Sequence, residues 1–255
     1  MSGFVRSERS GDTVTVTLCN PVKRNSLGLD VLLALTEAFA QAADSDATGI
    51  VLAAEGPVFS AGHNFGEMKG AQYADAHRLF TVCSNLMQMM HTVPQPIVAR
   101  VHALATAAGC QLVATCDLAV AARSASFAIP GGKGGLFCHT PAVAVARSMP
   151  RKFALEMAMT GDPVDADTAH QWGLVNRVVD DERLDDAVHD LLARATRGSA
   201  WSKGLGKRTF YEQVNMEESA AYEFASAVMA EAVTGDAAQE GIAAFLDKRE
   251  PRFPR

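Results

Sequence analysis

Two runs of small residues, each following a predicted strand, allow the backbone itself to take part in chemistry. The first run covers residues 60–64 and the second covers residues 106–109. Residues 96–105 are rich in Val, Ala and Leu, which predicts a buried strand, and residues 110–116 predict a short apolar helix. The first N–H groups of a helix have no partner inside it and favour negative charge. Small residues there let another molecule approach the backbone, although tight packing of a buried helix against a sheet explains them equally well.

The charge and the cysteines exclude several classes of protein. The formal net charge of −6 argues against a nucleic-acid binder held by bulk charge, so an anionic ligand needs a local basic patch. The five cysteines form no CxxC motif and no Cys/His cluster with zinc spacing, so we expect no metal site. Scattered, reduced thiols favour a cytoplasmic protein. With no signal-peptide segment and no apolar run of about 18 residues, we expect neither secretion nor a membrane partner.

The elements that must position the two runs alternate along the chain. Residues 13–18 predict a half-buried strand, residues 29–43 an amphipathic helix, and residues 49–54 a buried strand. This alternation predicts an α/β fold with parallel strands. From residue 184 the pattern is helical, which divides the chain into an α/β core (1–195) and a C-terminal helical subdomain (196–255).

A series of motifs in this order resembles the crotonase superfamily, also called the enoyl-CoA hydratase/isomerase family. The resemblance runs from about residue 12 to about residue 250, and each motif is short, but the ordered series is specific. The motifs are NPVKRNSL (20–27), FSAGHN (59–64), AAGCQ (107–111), DLAVA (117–121), FAIP (127–130), LEMAMTG (155–161) and GLVN (173–176). A divergent branch of the family is indicated by AAEGPVFS (53–60), ATAAGCQ (105–111), GLFC (135–138) and PRK (150–152).

The resemblance implies a crotonase-like fold of repeated ββα units, with a C-terminal helical part that drives trimerisation, often as a dimer of trimers. It implies a coenzyme A thioester as substrate or ligand and no prosthetic group. Two backbone N–H groups would stabilise the thioester enolate, and by position they belong to His63 and Ala108. An oxyanion hole of this kind needs only the backbone, so Ala is acceptable at position 108.

The same resemblance implies where the coenzyme lies. Lys23 and Arg24 occupy the position near the adenosine phosphate. Lys207, followed by Arg208, lies on a C-terminal helix that adds a cation from the same or a neighbouring subunit. Ala61 would offer its backbone to the adenine.

The sequence departs from the family pattern at the acid–base pair. Hydratases of this family use two glutamates around a water, and these positions hold Gln111 and Gly131. Gln does not exchange a proton near neutral pH, and Gly has no side chain. We therefore expect an oxyanion hole without the groups that hydration requires.

Several nearby residues are candidates to replace the missing pair. Glu67 and His77 lie on the segment that covers the acyl pocket in relatives, and Asn64 lies next to the first run. Cys138 and His139 form a thiol–imidazole sequence pair, although adjacent residues usually point apart and a buried Cys is usually inert.

Two hypotheses follow. The first is an enzyme of the hydratase/isomerase type that acts on an acyl-CoA. The second is a non-catalytic acyl-CoA-binding or regulatory protein. Ligand binding without turnover would distinguish this second hypothesis from the first. RNA binding, as in one branch of the superfamily, is disfavoured because this sequence lacks a basic helix. A protease on the related fold needs a Ser–His–Asp set, and residues 107–109 contain no serine.

Overall fold

The structure is a computed structural model that describes residues 3–253. Its strands are β1 (Val5–Ser10), β2 (Thr13–Leu18), β3 (Gly49–Ala54), β4 (Ile97–Val101), β5 (Ala105–Thr106), β6 (Leu118–Ala122), β7 (Ser126–Ala128), β8 (Val164–Asp165) and β9 (Arg177–Val179). Its helices are α1 (Leu29–Ala43), α2 (Phe65–Met68), α3 (Tyr73–Thr92), α4 (Ala108–Thr115), α5 (His139–Ser148), α6 (Arg151–Thr160), α7 (Ala166–Gln171), α8 (Leu184–Ala195), α9 (Ala200–Gln213), α10 (Glu218–Thr234) and α11 (Asp236–Leu246).

The strands form two sheets. The larger has the order β1-β2-β3-β4-β6-β9 and is parallel except for the β1–β2 pair. The smaller has the order β5-β7-β8. The predicted α/β class is confirmed, because strands and helices alternate and the larger sheet is mostly parallel.

The larger sheet is covered on both faces. All six residues of β3 are buried, and its sequence GIVLAA does not alternate, as expected for a strand that helices cover on both sides. One face joins a large core with α1 and α3. The other face packs against α8, where Val51 and Val98 of the sheet form one cluster with Leu184, Val188 and Leu192 of that helix.

Three predicted elements differ from the observed ones. The predicted strand at 96–105 is two strands, because the chain leaves the larger sheet after Val101 and residues 105–106 pair with β7 in the smaller sheet. The predicted helix at 110–116 begins two residues earlier, at Ala108. The four glycines among residues 131–135 predict a flexible loop, yet these residues lie mostly in a 3-10 helix, Pro130–Gly134.

The C-terminal part is helical, as predicted from residue 184 onward. Helix α9 contacts α3, α10 and α11, whereas α10 has no buried residue. Across residues 3–253, no helix has both the length and the apolar character that a bilayer span requires. The division of the chain at residue 195 stays a prediction.

Candidate active site

The two runs of small residues meet in the structure. Residues 60–64 form the first turn and residues 106–109 form the second turn. Thr106 N donates a hydrogen bond to Ser60 O at 2.9 Å. A Cβ atom on Gly62 would lie 2.7 Å from the Cβ atom of Ala107 and 3.1 Å from Ala108 N, and one on Gly109 would lie 2.5 Å from Ser60 O. The turns therefore touch because positions 62 and 109 carry no side chain.

The backbone of Ala107 is strained where α4 begins. Its φ of 51° and ψ of −119° lie outside the regions that L-residues ordinarily occupy, and it precedes the first residue of α4. Such a conformation costs about 1–3 kcal/mol and persists only where the surroundings impose it. Here Ala107 N donates to Ala128 O at 2.8 Å, which fixes the second turn against the smaller sheet.

Two neighbouring backbone N–H groups have no acceptor in the described part of the chain. Within residues 3–253, the N–H groups of His63 and Ala108 donate no hydrogen bond. The groups beside His63 are anchored, because Leu27 N donates to Gly62 O at 2.7 Å and Asn64 N donates to Leu27 O at 3.4 Å. The first turn and the start of α4 thus present two fixed donors, an arrangement that suits an oxygen with negative charge.

The imidazole of His63 is largely buried and neutral. Its ring meets the ring of Phe80 edge-on, with 5.1 Å between centroids. Burial lowers the pKa of His63 to about 4, against a small opposing effect of Glu67. Its Nε2 is buried and has no hydrogen-bond partner among the described residues.

The side chain of Gln111 is almost completely enclosed. It is 3% exposed, and its Oε1 is buried without a hydrogen-bond partner in the described part of the chain. Gln111 lies one helical turn after Ala108 on α4. It also lines a cavity of about 750 Å³ between α3, α4, α5 and α9, together with Met87, His91 and Tyr211.

Position 131 has no room for a side chain. A Cβ atom on Gly131 would lie 2.1 Å from Leu136 O and 2.8 Å from the sulfur of Cys138. Gly131 N donates to that sulfur at 3.2 Å. The space that a glutamate would use is therefore occupied by the loop itself.

Cys138 and His139 do not form a thiol–imidazole pair. Burial raises the pKa of the Cys138 thiol, so the sulfur stays protonated near neutral pH. The His139 ring is exposed and lies against Phe137, with 5.2 Å between ring centroids. The structure supports the inert interpretation of this cysteine.

Glu67 and Asn64 are engaged at helix N-termini. Glu67 Oε2 accepts a hydrogen bond from Leu29 N, the first residue of α1, at 3.0 Å. Glu67 Oε1 accepts from Asn64 Nδ2 at 2.8 Å. Asn64 Oδ1 in turn accepts from Gly66 N at 3.0 Å and caps α2. These contacts give both side chains a structural role, while His77 is exposed on α3.

Lys23 and Arg24 lie beside the first turn. Ala61 N donates to Arg24 O at 3.0 Å, and buried Asn25 donates through Nδ2 to Phe59 O at 3.1 Å. Both cationic side chains are exposed, and neither has a carboxylate within 4.0 Å among the described residues. Two cations are therefore available next to Ala61.

Lys207 is paired with a carboxylate of its own chain, and its expected contribution to the coenzyme site, from the same or a neighbouring subunit, stays a prediction. Its side chain is 9% exposed, and its Nζ lies 2.7 Å from Asp117 Oδ2. Asp117 also accepts from Tyr211 OH at 2.9 Å and from Ile97 N at 2.7 Å. Burial lowers the pKa of Lys207 despite the nearby carboxylate. Lys207 thus ties α9 to the sheet, a contact that the positive charge alone could not predict.

Comparison with known proteins identifies the family. The model of the enoyl-CoA hydratase/isomerase family matches residues 8–255. The chain belongs to this family. It is 46% identical over 248 residues to enoyl-CoA hydratase domain-containing protein 3, mitochondrial, of Rattus norvegicus, covering 96% of this chain and 83% of that protein. The protein of the same name from Homo sapiens is 44% identical over 238 residues, covering 92% of this chain and 78% of that protein.

Solved structures agree with this assignment. The crystal structure of an enoyl-CoA hydratase from Mycobacterium smegmatis has a TM-score of 0.95 and 42% identity, covering 98% of each chain. That of human enoyl-CoA hydratase domain-containing protein 3 has a TM-score of 0.94 and 42% identity, covering 98% of this chain and 100% of that chain. The predicted superfamily, its divergent branch and the crotonase-like fold are confirmed.

The cytoplasmic prediction is wrong. The rat and human relatives are named mitochondrial proteins, which contradicts it. The prediction failed because reduced thiols do not distinguish one reducing compartment from another.

Proposed function

We propose that this protein binds an acyl-CoA thioester and stabilises its enolate with the N–H groups of His63 and Ala108. The observation that carries the proposal is the pair of unbonded donors on two turns that touch. Removing one donor from such a site typically costs about 3–4 kcal/mol of transition-state stabilisation. The neutral imidazole of His63 adds no positive charge, so the backbone supplies the stabilisation.

Classical hydration of a 2-enoyl thioester is not part of the proposed function. Gln111 has no exchangeable proton near neutral pH, and Gly131 has neither a side chain nor space for one. An enzyme of the isomerase or lyase type would take its base from another group or from the ligand.

The coenzyme end of the ligand lies near the first turn in this proposal. Lys23 and Arg24 would bind phosphate, since both are exposed cations without a carboxylate partner among the described residues. Ala61 would offer its carbonyl to the adenine, because its N–H already donates to Arg24 O.

The proposed assembly is a homotrimer or a dimer of trimers. Support comes from exposed apolar side chains of the C-terminal helices, including Tyr222, Met229, Phe245 and Leu246. Large exposed apolar surface is typical of protein interfaces. Light scattering after size-exclusion chromatography should give the mass of three or six chains.

A non-catalytic acyl-CoA-binding or regulatory protein is the alternative. The missing acid–base pair favours it, because the donors alone suffice for binding. Under this alternative, no acyl-CoA tested would be converted at saturating concentration.

The test of the donors is calorimetric titration with butyryl-CoA. The variant Ala108→Pro removes one N–H at the first position of α4. Proline also restricts the backbone of the residue before it, and Ala107 has a ψ of −119°, so affinity is compared only for protein that thermal unfolding shows to be folded. Ala200→Pro makes the same change at the first position of α9, after the extended residue Ser199, and is the control for proline at a helix start. We expect Ala108→Pro to weaken binding at least ten-fold and Ala200→Pro to leave it unchanged, with thermal unfolding verifying that both variants fold. Equal affinity in a folded Ala108→Pro variant would contradict the proposal.

A further inference from the structure

Asn25 is buried at the end of the loop that carries Lys23 and Arg24. It is 1% exposed, its Oδ1 accepts from Asn20 N at 2.9 Å, and its own N–H donates to Asn20 O at 2.8 Å. Arg24 and Asn25 have φ of 51° and 50°, in the left-handed region. Such a backbone persists where the surroundings impose it, and Asn tolerates it better than most residues. Asn25 therefore closes this loop and fixes its conformation.

The amide of Asn25 also holds the segment that leads into the first turn. Its Nδ2 lies within hydrogen-bond distance of three carbonyl oxygens that follow β3, those of Glu55 at 2.8 Å, Val58 at 3.1 Å and Phe59 at 3.1 Å. A buried carbonyl group without a donor costs free energy, so these contacts stabilise the segment. Its next residue is Ser60.

Ser60 connects Asn25 to both turns. It is fully buried, and its Oγ donates to Asn25 O at 2.8 Å and accepts from Gly62 N at 3.3 Å. Its carbonyl oxygen accepts from Thr106 N at 2.9 Å, in the second turn. The hydroxyl of Ser60 thus fixes the backbone immediately before His63.

The peptide group that contains the His63 N–H is held by the residues around Asn25. Gly62 O and His63 N belong to one planar peptide group, so a contact at the oxygen orients the N–H. Leu27 N, two residues after Asn25, donates to this oxygen at 2.7 Å. The direction of the His63 N–H therefore depends on the loop that Asn25 closes.

We propose that Asn25 and Ser60 are positioning residues that aim the His63 N–H at the thioester carbonyl of the ligand. This inference rests on the proposed function, because it needs a carbonyl at the His63 N–H. Asn25 acts through Ser60 on the acyl end of the ligand. It also closes the loop of Lys23 and Arg24, so it holds the proposed phosphate-binding cations at a fixed position relative to the donor.

The first experiment measures the carbonyl stretching frequency of butyryl-CoA, labelled with ¹³C at the thioester carbon, by infrared difference spectroscopy on saturated protein. A hydrogen bond to the carbonyl oxygen weakens the C=O bond and lowers this frequency, so the shift on binding reports the donors. We expect Ser60→Ala to lose about half of the wild-type shift, because one of the two donors is no longer aimed at the oxygen.

Ser199→Ala is the matched control. Ser199 is also buried, and its Oγ accepts from a backbone N–H, that of Ser202 at 3.1 Å, but it lies at the start of α9. Loss of this helix cap should lower stability and leave the carbonyl shift unchanged.

The second experiment separates positioning from a general structural effect by calorimetric titration with CoA, which has no thioester carbonyl, and with butyryl-CoA. Ser60→Ala should weaken butyryl-CoA binding about five-fold and keep CoA binding within about two-fold. Asn25→Asp removes the donating NH₂ and should weaken both ligands, because Asn25 holds both ends of the site, and it should also reduce the carbonyl shift.

Two results would overturn the inference and leave the proposed function intact. One is a wild-type carbonyl shift in Ser60→Ala or in Asn25→Asp. The other is an equal loss of affinity for CoA and butyryl-CoA in Ser60→Ala. If the wild-type protein binds butyryl-CoA without lowering the carbonyl frequency, the proposed function itself fails. The carbonyl shift of either variant decides the question, so the test stands if one of them does not fold.

Discussion

Gly62 and Ala107 approach so closely that a Cβ atom on residue 62 would lie 2.7 Å from the Cβ atom of Ala107. This contact joins a turn after β3 to the turn that begins α4. The same Cβ atom would lie 3.1 Å from Ala108 N. The relative position of the two proposed donors therefore depends on a glycine at position 62.

Gly62→Ala should separate the two turns. Its φ of +81° adds strain to the steric conflict, so Gly70→Ala is the matched control, with φ of +75° and no neighbouring atom within 4 Å. We expect Gly70→Ala to cost about 1 kcal/mol of stability and to bind butyryl-CoA normally. Gly62→Ala should cost more and lose at least ten-fold in affinity. Similar affinities of the two variants for butyryl-CoA would show that the turns do not need this contact.

Gly131→Ala should destabilise the protein, because its Cβ would lie 2.1 Å from Leu136 O. Gly134→Ala is the control in the same segment, since a Cβ there meets no atom within 4 Å. Chemical denaturation should give a loss in the free energy of unfolding of about 2 kcal/mol or more for Gly131→Ala and much less for Gly134→Ala.

Because position 131 has no space for a side chain, Gln111→Glu combined with Gly131→Glu should not create a hydratase. A stable double variant with hydratase activity would contradict this account of the loop.

The sequence predicted the α/β class, the helix at Leu29–Ala43 and the buried strand at Gly49–Ala54, because hydrophobic periodicity determines such elements locally. It did not predict the break after Val101, because both halves of residues 96–105 are apolar and only pairing with different sheets separates them. The edge strand Val5–Ser10 was missed because most of its residues are exposed and polar.

Within the site, the sequence located both turns but not the partners of individual side chains. Lys207 had the right charge for a phosphate, yet Asp117 engages it across the fold. Glu67 had the right chemistry for a base, yet it accepts from Leu29 N. The enclosed amide of Gln111 also depends on tertiary packing, which periodicity does not describe.

His63 should make stability depend on pH. The folded pKa of about 4 lies below the ordinary value of 6.5, so between these values the unfolded chain binds more protons. The free energy of unfolding should therefore fall as the pH decreases from about 6.5 to 4, by roughly 2–3 kcal/mol from this residue. Denaturant titrations at several pH values should show a shallower dependence for His63→Leu. His77→Leu, at an exposed position on α3, controls for loss of a histidine, and an unchanged slope in His63→Leu would count against burial as the cause.

The double variant Lys23→Ala/Arg24→Ala should weaken binding of butyryl-CoA without lowering the melting temperature. Both side chains are exposed and have no carboxylate partner among the described residues, so folding does not depend on their charge. The affinity of the wild-type protein should fall with salt more steeply than that of the variant. Arg151→Ala/Lys152→Ala removes two exposed cations at the start of α6 and is the control. Equal losses in both double variants would indicate an effect of net charge rather than a phosphate site.

The most direct measurement is the rate of crotonyl-CoA hydration by wild-type protein that calorimetry shows to be saturated with this thioester. We expect binding without hydration above the uncatalysed rate, because the proposed donors are in place and the acid–base pair is missing. Turnover at ordinary enzyme rates, about 1–10³ s⁻¹, would contradict it and require another group to move the proton.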